Sequence, residues 1–335
     1  MTFIDFFAGI GGFTAGLTQS GMECVGFCEN DKWAIKSYTA IHQPRKEWFC
    51  NDITESRADE IPYADGWTAG FPCQDISVCG KQSGISGERS GLFFEIIRLL
   101  KGKNPENRPK WLLFENVRNL VSIRGGGDFT TILREISDVG YDCEWQIINS
   151  RMFVPQNRER IFIVGHLRGG STRKVFPISG ADCQTTGGKL IEVISGMQGK
   201  RVYCSQGLSI CLTAQAGGFA GKTGAYCVGS SPCFVDLCAG NPRTTDIARC
   251  IKARYNSGIS NRSGELSGVL TNGRIRRLTP RECFRLQGFS DEMFERAAAV
   301  NSDNQLYRQA GNSVTVPVIR AIGERLMSAY GDSSC

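Results

Sequence analysis

Over the first 166 residues, short apolar runs alternate with helix-length amphipathic segments, and no other feature of the chain limits its fold as strongly. The runs predict strands over 3–7, 24–27, 48–50, 67–70, 111–114, 145–148 and 160–164. The segments between them predict helices over 13–20, 32–41, 92–101 and 129–139. Strands joined by helical crossovers run parallel, with helices covering both faces of the sheet. The expected architecture is a doubly wound α/β domain with a mostly parallel sheet, and its ligands belong at the carboxyl ends of the strands.

The whole chain has 335 residues, 41% of them hydrophobic and 21% charged, which suffices for two domains with a substantial core. No apolar run approaches the ~20 residues of a membrane span. The N-terminus opens directly into a strand-like run containing Asp5, without a basic leader or a small-residue cleavage site, so the reading places the chain in the cytoplasm. The 15 cysteines are odd in number and scattered, and none forms a Cys-x-x-Cys pair, which favours reduced thiols acting mostly as small buried hydrophobes. His42 and His166 lie far from any paired spacing, and no metal is expected.

Residues 167–275 differ from what precedes them. They hold 13 Lys or Arg against 5 Asp or Glu, a net of +8 in a chain whose total is +6, together with 18 of the 40 glycines. Turn clusters such as Gly217-Gly218 and Ser230-Ser231-Pro232 predict a smaller, loop-rich β-type domain. A basic, glycine-rich module suits a phosphate backbone, where Lys and Arg release condensed counterions; a merely solvated surface accounts for the charge equally well.

The strand ends carry the chemistry. After the first strand comes Phe6-Phe7-Ala8-Gly9-Ile10-Gly11-Gly12 and then a helix, a turn that lets backbone approach a ligand. Thr14 stands where a dinucleotide fingerprint needs glycine or alanine, and no Gly-Lys-Ser/Thr follows. Glu29 ends the second strand, placed to bind ribose hydroxyls, and Asp52 follows the third. Two acids on successive strand ends favour an adenosyl ligand without phosphate. Gly70-Phe71-Pro72-Cys73-Gln74 ends the fourth strand with a candidate nucleophile, followed by a polar, glycine-rich stretch over 79–91 that reads as a lid. The fifth delivers Glu115 after the apolar run 111–114, which predicts partial burial. Gln156-Asn157-Arg158-Glu159-Arg160 leads into the seventh, with arginines at alternate positions.

These residues resemble the DNA cytosine-C5 methyltransferases that use S-adenosylmethionine. Six blocks stand in that family's order: Asp5 to Gly12, Gly70 to Gln74, Glu115-Asn116-Val117, Gln156 to Arg160, Arg277-Leu278-Thr279-Pro280-Arg281-Glu282, and Gln309-Ala310-Gly311-Asn312-Ser313-Val314. The resemblance implies a Rossmann-like methyltransferase fold. Its catalytic domain is discontinuous, over 1–166 and 300–335, and a target-recognition domain occupies 167–299. Phe7, Gly9 and Gly11 then line the cofactor pocket, Glu29 holds the ribose, and Asp52 meets the adenine. Asn30 replaces the aromatic residue that many members place after the ribose-binding acid, so adenine packing falls to Phe7, Ile53 or Leu92. Asn312 and Ser313 close the pocket from the C-terminal segment.

By the same resemblance Cys73 is the nucleophile, while Glu115 and Arg160, assisted by Arg158, grip a cytosine rotated out of the duplex. Gln156 supports the catalytic loop, and Arg243, Arg254 and Arg262 are candidates for DNA contact. Thr279-Pro280-Arg281-Glu282 predicts a capped helix over 280–287, and Pro317 permits another to about residue 330. The implied partners are double-stranded DNA and a cognate restriction endonuclease, with the chain itself monomeric and without membrane or metal. Cytosine methylation of transfer RNA and an inactive DNA-binding regulator of the same fold are the competing readings.

Overall fold

The computed structural model describes residues 1–72, 91–170, 173–179 and 278–331, and the backbone of seven short strands between 192 and 277. The first sheet contains β1 (Thr2–Phe6), β2 (Glu23–Cys28), β3 (Trp48–Cys50), β4 (Gly66–Ala69), β5 (Trp111–Val117), β6 (Tyr141–Asn149) and β7 (Glu159–Leu167). Its order is β3-β2-β1-β4-β5-β7-β6. The pairings from β3 to β5 are parallel, and β7 runs antiparallel to both of its neighbours. Every predicted strand of this region is present; β6 and β7 extend several residues beyond their apolar centres, because antiparallel pairing also accommodates the polar positions Asp142, Glu144 and His166.

The connecting helices are α1 (Gly12–Gln19), α2 (Lys32–His42), α3 (Leu92–Gly102) and α4 (Gly127–Asp138). The α2 helix starts where Asp31 accepts hydrogen bonds from the Trp33 and Ala34 amides and ends at Gln43 in the left-handed region. Apolar residues of α3 and α4, with Ile4, Phe6, Trp67, Leu112 and Phe114 from the strands, form the core on one face of the sheet. The opposite core joins Phe3, Phe13, Leu113 and Phe162 to Val318, Ile319, Ile322 and Leu326 from the far end of the chain.

That distant segment comprises α5 (Pro280–Leu286), α6 (Asp291–Ala298), α7 (Asp303–Asn312) and α8 (Val316–Tyr330). The capping box predicted at Thr279 is formed: its hydroxyl accepts from the Glu282 amide, and Glu282 returns a carboxylate to the Thr279 amide. Helix α8 lies against α1, where a Cβ on Gly16 would come within 2.6 Å of Ile319 Cβ. A buried polar chain links the separated segments. Gln156 donates to the Leu286 carbonyl at 2.7 Å, Gln287 donates to the Ala310 carbonyl at 2.7 Å, and Thr315 donates to Gln287 at 3.0 Å.

The remaining strands are β8 (Glu192–Ile194), β9 (Val202–Cys204), β10 (Ala225–Val228), β11 (Cys233–Asp236), β12 (Arg243–Thr244), β13 (Ser267–Thr271) and β14 (Arg274–Arg277). They form a second sheet of order β12-β11-β13-β10-β9-β8, with β14 paired to β13. The sequence predicts β structure here, and these strands provide it. Among the described residues, no helix is long and apolar enough to cross a membrane.

Candidate active site

The strand order reverses between β1 and β4: the chain passes from β1 outward to β2 and β3, then returns to place β4 and β5 on the other side. A sheet opens a crevice at such a switch point, outside the carboxyl ends of its strands. The glycine turn leaves β1 at this point. Phe7 has φ 55°, Gly9 58° and Gly11 80°, so three residues of the turn occupy the left-handed region. Phe7 is the non-glycine member and carries the associated strain. A side chain at Gly9 would meet nothing within 4 Å, whereas one at Gly11 would strike His42, and one at Gly12 would lie 2.6 Å from Ser313 Oγ. Gly9 thus faces open space, and the C-terminal segment is packed against the rear of the turn.

Thr14, which breaks the dinucleotide pattern, has a structural partner. Its hydroxyl donates to the buried Asp5 carboxyl at 2.9 Å, and Thr68 donates to the other oxygen at 3.0 Å. Asp5 is fully buried, and burial pushes its carboxyl up to about 7, although the threonine hydrogen bonds pull the other way.

Glu29 lies immediately beyond β2. Its two oxygens accept from the Gly9 amide at 2.8 Å and the Asp31 amide at 2.7 Å. Burial raises its carboxyl above the usual range despite these bonds. With the Asn30 amide also directed at it, the carboxylate keeps acceptor capacity for a ligand hydroxyl. Asp52 is half-buried, with one oxygen accepting from the Thr54 amide at 2.9 Å and its hydroxyl at 2.8 Å. Ile53 is buried in the core, Leu92 is half-buried against it, and Asn30 is exposed.

On the other side of the crevice, the antiparallel register sets Glu115 opposite Phe162 and Val117 opposite Arg160. Glu115 and Arg160 are therefore diagonal neighbours on one face. Arg160 Nε lies 3.0 Å from Glu115 Oε1, and both side chains are nearly buried. A Cβ on Gly70 would lie 3.6 Å from Glu115 Oε2, which brings the end of β4 against this carboxylate. Asn116, on the opposite face of β5, donates to the Phe71 carbonyl at 3.2 Å.

Cys73 and the expected lid over 79–91 lie outside the described residues, apart from Gly91. So do Arg254 and Arg262; Arg243 falls in β12, of which only the backbone is described. The structure brings Phe7, Gly9, Gly11, Glu29, Asp52, Glu115 and Arg160 to one sheet edge. Arg158 is buried and turns to the C-terminal segment instead of joining the alternate-position pair predicted with Arg160. Its guanidinium donates to the Gly311 carbonyl at 3.3 Å and the Ser313 carbonyl at 2.8 Å, because residue 158 precedes β7 and does not share its alternation. Ser313 is buried beside Gly12, and Asn312 is exposed.

Asn116 and Asp5 belong to motifs recognisable in the sequence, but their partners are backbone and hydroxyl groups distant along the chain, which spacing does not reveal. Burial pushes the Cys24 thiol up to about 11 and Cys143 up to about 12, so these cysteines are poor nucleophiles. Among the described residues, no cluster of three or more His, Cys, Asp or Glu has the arrangement to hold a metal ion.

Residues 1–328 match the family pattern described as C-5 cytosine-specific DNA methylase. The chain is 36% identical over 330 residues to the type II methyltransferase M.NlaX of Neisseria lactamica, an alignment covering 97% of this chain and 96% of that protein. It is 29% identical over 366 residues to the type II methyltransferase M.HhaI of Haemophilus parahaemolyticus, covering 98% and 95%. Among solved structures, the S. pombe Dnmt2 methyltransferase superimposes with a TM-score of 0.65 at 19% identity, over 98% of both chains. The Entamoeba histolytica methyltransferase EhMeth superimposes with a TM-score of 0.64 at 16% identity, also over 98% of both. At these identities the structural likeness speaks for the fold.

Proposed function

Because the chain belongs to the C-5 cytosine-specific DNA methylase family, whose members are S-adenosylmethionine-dependent transferases, we propose that it methylates carbon 5 of a cytosine rotated out of a specific duplex sequence. The observation that carries this reading is the Glu115–Arg160 pair at 3.0 Å, set against Gly70 three residues before Cys73. A carboxylate and a guanidinium on one strand edge, with a thiol supplied by the segment that follows, are what addition to a pyrimidine requires.

The cofactor fits the residues at the switch point. Glu29 would bind the ribose through its remaining acceptor capacity, the open side of Gly9 admits a ligand, and Asp52, Ile53, Leu92 and Phe7 would hold the adenine. Asn312 and Ser313 would border the same pocket. Bound S-adenosylmethionine supplies an electrophilic methyl group.

Carbon 5 of cytosine is a weak nucleophile. Cys73 would add its thiolate to carbon 6, forming the carbon–sulfur bond and moving electron density to carbon 5. Glu115 would hold the proton at ring nitrogen 3, and Arg160 would donate to the carbonyl oxygen at position 2, both acting where charge accumulates. Arg158, through its hold on Gly311 and Ser313, would keep the C-terminal wall in place. After methyl transfer, loss of the carbon 5 proton would expel the thiolate and restore the ring.

The catalytic lobe in this reading spans 1–166 and 300–335, and residues 167–299 select the sequence. The enzyme would act in the cytoplasm as a monomer, as the modification half of a restriction system. Bisulfite sequencing of DNA from cells expressing the chain tests activity and target together: one methylated motif is expected, and unmethylated DNA alongside labelled transfer RNA would overturn the DNA assignment. Cys73→Ser should abolish product and covalent trapping on a 5-fluorocytosine duplex while leaving duplex affinity within about twofold. Trapping by the variant would remove Cys73 from the mechanism.

A further inference from the structure

The adenine end of the pocket just proposed has two walls on different elements. Asp52 and Ile53 follow β3, and Leu92 opens α3. The residues after β3 are closed on themselves: Glu55 N donates to the Asp52 carbonyl at 3.1 Å, Ser56 N to the Ile53 carbonyl at 3.2 Å, and the Cys50 thiol meets the Ser56 hydroxyl at 2.7 Å. None of these bonds reaches α3. Arg98 does. Its Nη2 donates to the Ile53 carbonyl at 3.1 Å and to the Ser56 carbonyl at 3.0 Å, while Nε is aimed by Glu95 at 2.7 Å.

Ile53 also packs in the core with Phe93, Ile96 and Ile97 of α3; among the polar ties between these segments, position along the helix distinguishes Arg98. At 1.5 Å per residue, Arg98 lies roughly 9 Å from Leu92 along the axis. The further ties, Gly102 against Ala58 and the Lys103 ammonium on the Ile61 carbonyl, lie roughly 15 Å away or more. Among the described hydrogen bonds, Arg98 is thus the link closest to the cofactor end. One nitrogen, Nη2, donates to two carbonyls of the turn while Nε is held by Glu95 on the same helix, and the rigid guanidinium plane joining the two nitrogens fixes the turn's distance and orientation.

We propose that Arg98 is a positioning residue for the methyl donor: it sets the separation between the turn bearing Asp52 and Ile53 and the helix end bearing Leu92, and thereby the width of the adenine slot. This rests on the adenosyl assignment of Asp52. The Arg98 side chain is 45% exposed, so water can reach the two carbonyls once the guanidinium is removed, and the fold should persist.

Calorimetric titration with S-adenosylmethionine, alongside duplex binding and thermal melting, tests the proposal on wild type, Arg98→Ala, Arg98→Lys and Asp52→Ala. Arg98→Ala should weaken cofactor binding about tenfold with duplex affinity unchanged, and its KM for the donor should rise more than kcat falls. Arg98→Lys, which retains a donor for the carbonyls but not the separate Nε that Glu95 holds, should recover part of the loss. Wild-type affinity in Arg98→Ala beside weakened binding in Asp52→Ala would overturn the positioning role alone. Undiminished binding in Asp52→Ala would overturn the adenosyl assignment and the proposal with it. Equal loss of cofactor and duplex binding in Arg98→Ala would reduce the residue to a general structural one.

Discussion

Asn116 holds the carbonyl of Phe71 at 3.2 Å, so the residue adjoining Glu115 secures the segment that follows β4 and leads to Cys73. Successive residues of a strand face opposite ways, and β5 uses both directions: Glu115 meets Arg160 on one face while Asn116 reaches β4's continuation on the other. The second amide group function is also engaged, since Asn116 Oδ1 accepts from the Val117 amide at 2.8 Å. The Glu115 carboxylate and the segment leading to Cys73 are in this way indexed to two adjacent residues of β5.

Asn116→Ala should therefore slow methyl transfer by about 10- to 100-fold, the range expected when a reacting group loses its alignment. Cofactor affinity should remain within about twofold. Single-turnover transfer of labelled methyl groups, compared with calorimetric binding, distinguishes the two effects; equal losses in both would contradict the assignment.

Two buried groups should act against each other in the pH dependence of stability. Burial raises Asp5 to about 7 from 3.8, and burial lowers His42 to about 4 from 6.5. Between pH 4 and 6.5 the folded chain retains a proton on Asp5 that the unfolded chain releases, which erodes stability as pH rises. Over the same interval the unfolded chain protonates His42 and the folded chain does not, which adds stability as pH rises. The two slopes have opposite sign and roughly 1.4 kcal/mol per pH unit each as an upper limit. Asp5→Asn should expose the rising slope and His42→Gln the falling one, the latter extending to about pH 7. Urea titrations of the variants against wild type at half-unit intervals measure both; parallel curves would mean that neither group is shifted.

Helix packing gives a third expectation. A methyl group at Gly16 would meet Ile319 Cβ at 2.6 Å and the Val316 carbonyl at 2.8 Å, neither of which can rotate aside. Gly16→Ala should cost roughly 1–3 kcal/mol, more than alanine's intrinsic helical advantage over glycine restores. At Gly323 the nearest atom is the Ser20 hydroxyl oxygen, which can turn away, so Gly323→Ala should cost less. Thermal melting of the two variants checks the order.

The sheet and its four helices were legible because an amphipathic period is a local property, and each strand end inherited its ligand-facing position from that pattern. The capping box at Thr279 was legible for the same reason: its donors and acceptors lie within three residues. Glu29 could be placed by counting from the glycine turn, but its bond to Gly9 could not, since nothing in either segment specifies the register between β1 and β2. Arg158 shows the limit more clearly. Alternation placed it with Arg160, and only the return of the C-terminal segment supplies the carbonyls that its guanidinium takes. The contacts of Asn116, a residue of a recognisable block, and of Arg98 are not legible in the sequence because their acceptors are backbone oxygens, which have no signature in the residue string.

The packing of α8 on α1, with Ser313 seated behind Gly12, also bears on when this chain becomes competent. Translation delivers the glycine turn first and its backing some three hundred residues later. Until the final helices leave the ribosome, one side of the central sheet lacks its cover, so a nascent or prematurely terminated chain carries the glycine turn without the wall behind it.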